Sequence, residues 1–322
     1  MTTGLIIGKF MPPHAGHQFL IDEALQRVDR LDLVVFTKSA EPIPGPLRAA
    51  WLRELYPRVA VHQLHLDHPT DYDDPDVWDY WVNAIRSVVT NGPDLVFSSE
   101  DYGAELGRRL GAQHRLIDAG RTQVPVSATQ IRAQPLRHWH YLPAPVRAYF
   151  VRRVCLLGAE STGKTTLAAA LAEHFHTVWA PEYAREYLSA NGNVVTLADM
   201  PLIARGQAAS EERLARVANR VLFTDTNPLT TQLWHERYFG DCPDDIRQLA
   251  NERTAHLYVV CGLDVPWVAD DLRDSPDHRS WFHERYCQEL TERGLRYVVV
   301  SGSHEQRLAK AAVEVEMLLV ET

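Results

Sequence analysis

GAESTGKT, residues 158–165, matches the pattern G-x-x-x-x-G-K-[ST] at every fixed position. The apolar run VCLL (residues 154–157) precedes it, and residues 166–175 follow with the spacing of an amphipathic helix. A strand, a glycine-rich loop and a helix are the context that this pattern requires, because successive backbone N–H groups of the loop then surround an anion. The stretch therefore predicts a phosphate-binding loop in a parallel α/β sheet.

The residue types in and near this loop suit separate tasks. We predict that Lys164 reaches the β- and γ-phosphates of a nucleotide and that the Thr165 hydroxyl ligates Mg²⁺. Asp225 ends the apolar run 221–224 and suits a position near the Mg²⁺, the alternative being a carboxylate that only caps the next turn. The other residues expected to bind the nucleotide here are Gly158, Glu160, Ser161, Thr162, Gly163 and Thr166.

Two further segments of the C-terminal half carry candidate residues. In PEYARE (residues 181–186), Glu182 is a candidate to accept the proton of a substrate hydroxyl, and Tyr183 and Arg185 are candidate substrate ligands. Salt bridges within a helix are the competing interpretation of these charges. DDLRD (residues 270–274) is predicted either as a lid over the phosphates, with Arg273 as its cation, or as a solvated loop.

A second phosphate motif stands near residue 10. GKFMPPHAGH (residues 8–17) follows the apolar run 5–7 and matches G-x-F-x-P-x-H-x-G-H at every fixed position. Glycine lets the backbone approach a ligand where the strand ends, and free N–H groups at the following helix N-terminus favour anions. Both imidazoles are expected to donate hydrogen bonds to phosphates. The candidate nucleotide-binding and catalytic residues are Gly8, Lys9, Phe10, His14, Gly16 and His17.

This second motif resembles that of the HxGH nucleotidyltransferase superfamily. VSATQIR (residues 126–132) resembles the second motif of that superfamily, with Ala128 where serine is frequent. The resemblance implies that Ser127, Thr129 and Arg132 hold the β- and γ-phosphates of ATP at the start of a helix. It also implies adenylyl transfer, in which a phosphate oxygen attacks the α-phosphorus and pyrophosphate leaves. Such a reaction needs positioning and charge neutralisation, which His14 and Arg132 suit.

The order of elements predicts an α/β fold. Short apolar runs alternate with longer amphipathic stretches, which is typical of parallel sheets covered by helices. The strand candidates are 5–7, 33–36, 94–97, 154–157, 221–224, 257–261 and 297–300. We expect a Rossmann-like nucleotidyltransferase domain (1–135), a proline- and aromatic-containing packed connector (136–152) and a P-loop, nucleoside-kinase-like domain (153–322).

Composition narrows the classes of function. The chain has 322 residues and a net charge of -9, which argues against bulk binding of nucleic acid or of an anionic membrane. Its four cysteines form no C-x-x-C pair, and the N-terminal residues do not show the pattern of a secretion signal. We therefore expect a cytoplasmic protein with reduced thiols. A homo-oligomeric assembly is compatible with the sequence, which does not decide it.

Almost the whole chain resembles the NadR-type family, in which a nicotinamide-nucleotide adenylyltransferase is fused to a ribosylnicotinamide kinase. Beyond the motifs above, the resemblance is carried by residues 36–39, 42–45 and 48, 78–81, 139–154, 181–186, 225–226 and 230–231, 265–268, 271 and 273. It implies ATP as co-substrate, Mg²⁺, and the ligands nicotinamide riboside, NMN and NAD. Trp78, Trp81 and Arg48 are then candidate substrate ligands, although core packing explains either tryptophan equally well.

Two other functions stay open at this point. The N-terminal domain could adenylylate another acceptor, phosphopantetheine or a flavin nucleotide. The flavin nucleotide is disfavoured because the kinases fused to flavin nucleotidyltransferases are β-barrels and not P-loop proteins. Alternatively, the chain could be an ATP- or NAD-binding sensor with one vestigial activity. Some NadR-type proteins also carry an N-terminal DNA-binding module and act as repressors. That role is not expected here, because the first strand candidate starts near residue 4.

Overall fold

A computed structural model describes residues 1–67, 75–268 and 276–320. The chain divides into two compact units: unit 1, Met1–Val146, and unit 2, Arg147–Thr322. The division falls inside the segment 136–152 that the sequence marks as a connector. The bounds of the functional domains themselves stay a prediction.

Unit 1 contains a sheet of five parallel strands with the spatial order 3-2-1-4-5. Its strands are β1 Thr3–Gly8, β2 Arg30–Thr37, β3 Ala60–His65, β4 Leu95–Ser98 and β5 Gln113–Leu116. Its helices within the described residues are α1 Ala15–Leu25, α2 Gly45–Leu55, α3 Pro75–Val88, α4 Tyr102–Leu110 and α5 Ala128–Ala133, followed by a 3-10 turn at Trp139–Tyr141. A further helix, α6 Ala144–Phe150, spans the division between the units.

The central position of β1 explains its apolar sequence. β1 pairs with β2 on one side and with β4 on the other, with Ile6 opposite Leu33 and Gly4 opposite Leu95. Ile6 packs among residues of α1 and α2, whereas Leu5 packs among residues of α3 and α4. Because both faces are buried, alternation of polar and apolar residues is lost. The strand order reverses between β1 and β4, which makes their carboxyl ends the expected place for a ligand.

Unit 2 contains a second parallel sheet of five strands, in the order 10-9-6-8-7. Its strands are β6 Arg152–Leu157, β7 Trp179–Ala180, β8 Val221–Asp225, β9 Leu257–Cys261 and β10 Tyr297–Val300. Its remaining helices are α7 Lys164–His174, α8 Tyr183–Ala190, α9 Met200–Ala215, α10 Pro228–Phe239, α11 Asp244–Glu252, α12 Arg279–Glu292 and α13 His304–Val320, with a 3-10 turn at Pro276–His278.

The core of unit 2 lies on both faces of its sheet. Leu156 of β6 packs with α7 and α13 on one face, and Leu157 packs with α10 and α12 on the other. The two faces are thus closed by helices, and the carboxyl ends of β6, β7 and β8 are left to form a site. Among the described residues, no helix is both long and apolar enough to cross a membrane.

The predicted α/β class with two parallel sheets is confirmed. All seven predicted apolar runs are strands, within three residues at their ends. Three strands have no counterpart in the prediction: β3, β5 and β7. Each lies at an edge of its sheet. β5 reads QHRL and is largely exposed, and β7 has only two residues, so neither carries the apolar run that marks a buried strand.

Candidate active sites

The first candidate site is a cavity at the carboxyl ends of β1 and β4. The backbone from Gly8 to Met11 lines it together with His17, and Glu100 lines it from the segment after β4. Thr129 and Arg132 line it from α5. The two motifs, separated by more than one hundred residues in the sequence, therefore meet at one cavity.

His14 is fixed at the N-terminus of α1 as a neutral donor. Its Nδ1 accepts a hydrogen bond of 3.0 Å from the N–H of Gly16, which leaves the proton on Nε2. Burial, and then the positive charge of Arg121, lower the pKa of His14 to about 4. At neutral pH the imidazole is therefore uncharged and can donate through Nε2.

His17 lies against His14, with 3.9 Å between the ring centroids. Burial lowers the pKa of His17 well below its ordinary value, and the charges of His14 and Arg121 act in the same direction. Its Nδ1 is buried and has no hydrogen-bond partner within the residues that the structure describes. Both imidazoles thus act as neutral hydrogen-bonding groups, and positive charge at this site has to come from lysine and arginine side chains.

Gly16 is required by the position of His14. A Cβ atom at this residue would lie 2.9 Å from Cε1 and 3.1 Å from Nδ1 of the His14 ring. The sequence interpretation assigned Gly16 to the close approach of a ligand at the helix N-terminus. The geometry adds a second reason, because any side chain here would displace the imidazole that caps α1.

Arg132 ties the second motif to the first. Its Nη1 donates to the carbonyl of Met11 at 2.5 Å, and its Nη2 donates to the Thr129 hydroxyl at 3.2 Å. Ser127 caps α5: its hydroxyl accepts from the N–H of Gln130, whose side chain accepts in turn from the N–H of Ser127. The position of Arg132 therefore depends on both the helix cap and the loop after β1.

Arg48 reaches the site through the backbone of Lys9. Arg48 is fully buried, and it donates to the carbonyls of Lys9 and Phe36 and to Glu41. The other carboxylate oxygen of Glu41 lies 3.4 Å from the ammonium of Lys9. Direct binding of substrate by Arg48 stays a prediction. The geometry supports a structural role, in which Arg48 holds the loop after β1 through the carbonyl of Lys9. Glu41 was absent from the sequence prediction.

Trp78 and Trp81 are core residues that also reach the cavity. They lie on α3 within the core of unit 1, and both also line the cavity. The Trp81 ring packs 4.2 Å from the ring of Phe36, and the Arg109 guanidinium lies over Trp78 at 5.5 Å. Packing and substrate binding are therefore compatible for either residue.

The second candidate site is built on the loop after β6. Ser161 and Gly163 adopt the left-handed conformation, with φ of 56° and 83°. The Thr162 hydroxyl donates to the carbonyl of Ala159 at 2.7 Å, and the ammonium of Lys164 donates to the same carbonyl at 3.1 Å. The loop is thus held by its own hydrogen bonds in the shape that presents N–H groups to an anion. Its residues from Gly158 to Thr166 line one cavity.

Thr165 lines this cavity and contacts Asp225. The Thr165 hydroxyl donates to Oδ2 of Asp225, a residue whose side chain is almost fully buried. Oδ1 of the same carboxylate finds no hydrogen-bond partner in the described part of the chain. A hydroxyl and a buried carboxylate with a spare oxygen are the hard ligands that Mg²⁺ prefers, so these residues fit the predicted ion.

Glu182 stands at the N-terminal end of α8 and lines the same cavity. Burial raises its pKa, and the nearby charge of Asp225 raises it further, whereas Lys164 and Arg185 act in the opposite direction. Nε of Arg185 lies 3.3 Å from the carboxylate. The salt bridge weighed as the alternative is thus present, in the cavity and not on an open surface. Arg185 also lines this cavity, while the Tyr183 ring packs against Gly206 of α9.

An aromatic wall of this cavity was missed in the sequence. Trp234 and Tyr238 of α10 stack at 5.1 Å, and Trp234 contacts Phe282 of α12 at 4.1 Å. Together with Tyr286, these residues line the cavity that the phosphate loop also lines. The signal was available, because both helices carry an aromatic pair at i and i+4, a spacing that places two rings on one face.

Arg307 of α13 was also missed. Its side chain is 4% exposed and donates to the carbonyl of Thr162 at 2.6 Å, to Asp264 at 2.5 Å and to the carbonyl of Gly302 at 3.1 Å. A buried arginine therefore braces the phosphate loop from below. Of the predicted site residues, Arg273 lies outside the described residues.

The chain is similar to several known proteins. A family described as AAA domain matches residues 153–307. The Trifunctional NAD biosynthesis/regulator protein NadR of Escherichia coli (strain K12) is 33% identical over 324 residues, which cover 93% of this chain and 78% of the relative. The protein of the same name from Salmonella typhimurium is 32% identical over 323 residues, which cover 92% of this chain and 78% of the relative.

The chain belongs to the NadR family. A solved structure of NadR protein in complex with NAD and AMP-PNP superposes with a TM-score of 0.81 at 25% identity, and covers 100% of this chain and 97% of the other. A structure of NadR protein in complex with NR superposes with a TM-score of 0.83 at 26% identity, and it covers the same shares of the two chains. The NadR fold therefore accounts for both units.

Gly16→Ala tests the geometry of the first site. Because the new Cβ displaces the His14 ring, we expect a loss of about 100-fold in adenylyl transfer, the cost of misplacing a catalytic group by about 1 Å. Gln26→Ala is the control, since Gln26 is exposed at the C-terminal end of the same helix, α1. Initial rates of pyrophosphate release measure both. Equal rates for Gly16→Ala and the native chain would contradict the role given to this glycine.

Arg307→Met tests the brace beneath the phosphate loop. Loss of the hydrogen bond to the Thr162 carbonyl and of the ion pair should lower the free energy of unfolding by about 1–3 kcal/mol. It should also raise the KM for ATP in phosphoryl transfer. Lys310→Met, an exposed substitution on the same helix, is expected to change stability by less than about 0.5 kcal/mol. Thermal unfolding and kinetics of both variants decide the question.

Proposed function

We propose that the chain carries out two consecutive steps of NAD synthesis, both with ATP as co-substrate. Unit 2 phosphorylates the 5′-hydroxyl of nicotinamide riboside, and unit 1 joins the resulting NMN to AMP with release of pyrophosphate. The observation that supports this most strongly is that each parallel sheet has its own phosphate loop at its carboxyl edge, in a chain that belongs to the NadR family.

In unit 2, the chain positions the triphosphate and the attacking hydroxyl. The loop N–H groups and Lys164 bind the β- and γ-phosphates. Thr165 and Asp225 would hold a Mg²⁺ ion, which supplies charge neutralisation of the phosphates when bound. Glu182 lies in the same cavity and accepts the proton of the 5′-hydroxyl as it attacks the γ-phosphorus.

The aromatic wall of unit 2 suits the nicotinamide ring. This ring is flat and carries a positive charge in the riboside, so it is stabilised by the faces of aromatic side chains. Trp234 and Tyr238 offer such faces, and Trp234 also packs against Phe282. These residues replace Tyr183 as our candidates for recognition of the base.

In unit 1, neutral donors and cations stabilise the charge that builds on the α-phosphate. Nε2 of His14 is the donor that its cap geometry leaves available, and His17 lies beside it. Lys9 and Arg132 supply positive charge for the phosphates, and pyrophosphate leaves without a covalent enzyme intermediate. Trp78 or Trp81, both of which line the cavity, contacts the pyridine ring of NMN. The cytoplasmic location and a homo-oligomeric state stay predictions.

The two activities can be separated by one substitution in each unit. With MgATP and nicotinamide riboside, we expect NMN and NAD from the native chain, NMN alone from His17→Ala, and neither product from Lys164→Ala. Loss of one donor in unit 1 should lower NAD formation by about 10²–10³-fold. Chromatography resolves the products.

NMN supplied to Lys164→Ala should restore NAD formation, because unit 1 is unchanged in that variant. A native chain that converts neither nicotinamide riboside nor NMN would contradict the proposed substrates. NMN without NAD would contradict only the activity proposed for unit 1.

The pH dependence of phosphorylation tests Glu182. The proton acceptor must be ionised, and the pKa of Glu182 is raised. The turnover number should therefore fall as the pH drops through a value above the ordinary range of a glutamate. Glu182→Gln should lower turnover by about 100-fold or more and remove this acidic limb. Glu186→Gln, an exposed neighbour on α8, should leave both rate and pH profile unchanged. An unchanged limb in Glu182→Gln would assign the base elsewhere.

A further inference from the structure

The loop between β5 and α5 is built around one carboxylate. Oxygens of Asp118 accept hydrogen bonds from the N–H groups of Thr122, Gln123 and Val124, at 2.8 to 3.4 Å, and from the Thr122 hydroxyl at 3.0 Å. The N–H of Arg121 donates to the carbonyl of Asp118 at 2.8 Å. The backbone of the loop is thus fixed, although much of its surface faces solvent.

The backbone of this loop is strained at two residues. Asp118 and Arg121 both have left-handed backbones, with φ of 47° and 50°, which side chains with a Cβ rarely adopt. The loop also reaches the HxGH motif, since Cγ1 of Val124 lies 3.9 Å from the place where a Cβ of Gly16 would stand. Strain that is held by several hydrogen bonds beside a catalytic motif indicates that Arg121, at the tip of the loop, has a defined position.

Arg121 is the charged residue that this loop presents. Its Nη2 lies 3.6 Å from Oε1 of Glu100, a residue of the cavity wall, and the two side chains are 46% and 60% exposed. Its positive charge also acts on His14 and on His17. The guanidinium therefore lies close to a residue of the cavity wall and near the two imidazoles.

The charge balance of the cavity leaves a need for such a cation. Both histidines are neutral near pH 7, and Lys9 is paired with Glu41. The guanidinium of Arg132 donates to Met11 and Thr129. A triphosphate brings a charge close to -4, and the leaving pyrophosphate gains charge in the transition state, so a further mobile cation stabilises it.

We propose that Arg121 is a catalytic residue of adenylyl transfer. Its guanidinium gives up the ion pair with Glu100 and binds the β- and γ-phosphates of ATP and the departing pyrophosphate. An exposed ion pair contributes little to stability, whereas guanidinium–phosphate pairs are charge-assisted and often bidentate, so the exchange of partners is favourable. Glu100 then serves as the partner that holds the guanidinium beside the cavity wall before ATP binds. This assignment rests on the adenylyl transfer proposed for unit 1.

The test compares Arg121→Gln, Arg121→Lys and Arg108→Gln in the full chain. Arg108 forms an exposed ion pair with Glu105 on α4 and serves as the matched control. We expect Arg121→Gln to lower kcat/KM for ATP in NAD formation by about 10- to 100-fold. Arg121→Lys should retain part of the activity, because it keeps the charge but loses the bidentate geometry. Arg108→Gln should match the native chain.

A second measurement uses pyrophosphate alone. Calorimetric titration should give a dissociation constant about tenfold higher for Arg121→Gln than for the native chain, and an unchanged value for Arg108→Gln. Phosphorylation of nicotinamide riboside by unit 2 and the thermal unfolding midpoint verify that each variant is folded.

The assignment and the proposed function fail in different ways. If the native chain forms NAD and Arg121→Gln does so within twofold of it, Arg121 has no catalytic role. If the native chain forms no NAD, the function proposed for unit 1 is wrong, and pyrophosphate binding alone then decides about Arg121. Equal dissociation constants for the native chain and Arg121→Gln, or no measurable binding by either, overturn the assignment.

Discussion

In each unit, backbone N–H groups have to face a polyphosphate at the point where a buried parallel strand ends. Water solvates phosphate strongly, so a loop can replace that water only if several N–H groups already point inward. In unit 2 this requirement explains the left-handed Ser161 and Gly163, and the hydrogen bond from Thr162 to Ala159 that closes the loop. In unit 1 it explains why His14 caps α1 and why Gly16 carries no side chain.

A second constraint concerns the charges at each site. The histidines of unit 1 are buried together, which makes a charged imidazole unfavourable and leaves them as neutral donors. In unit 2 the buried Asp225 and the neighbouring Glu182 repel each other, and Lys164 partly compensates them. The buried imidazoles and the neighbouring carboxylates each cost some stability in the free protein. A bound phosphate in unit 1 or a bound cation in unit 2 offsets that cost. The sites are thus preorganised for charge that the substrates bring.

The loops owe their shape in part to buried arginines that donate hydrogen bonds to their carbonyl groups. Arg48 is buried below the loop of unit 1 and donates to the carbonyl of Lys9, and Arg307 is buried below the loop of unit 2 and donates to the carbonyl of Thr162. Each arginine also has a carboxylate partner, Glu41 or Asp264. A carbonyl held from below keeps the adjacent N–H groups turned toward the ligand, since the peptide unit is planar.

The sequence by itself determined the fold class and the position of both phosphate loops, whereas the contact of Thr165 with Asp225 was decided by the structure. Loop motifs are contiguous, and the strands that precede them are apolar on both faces, so local patterns suffice to recognise them. The edge strands β3, β5 and β7 and the partners of Arg48 were decided only by the tertiary structure. The same is true of the aromatic wall around Trp234 and Phe282, and of the positions of Arg121 and Arg307. These features arise where side chains distant in sequence meet at the carboxyl edge of a sheet, and such meetings depend on helix packing and register, which no local pattern encodes.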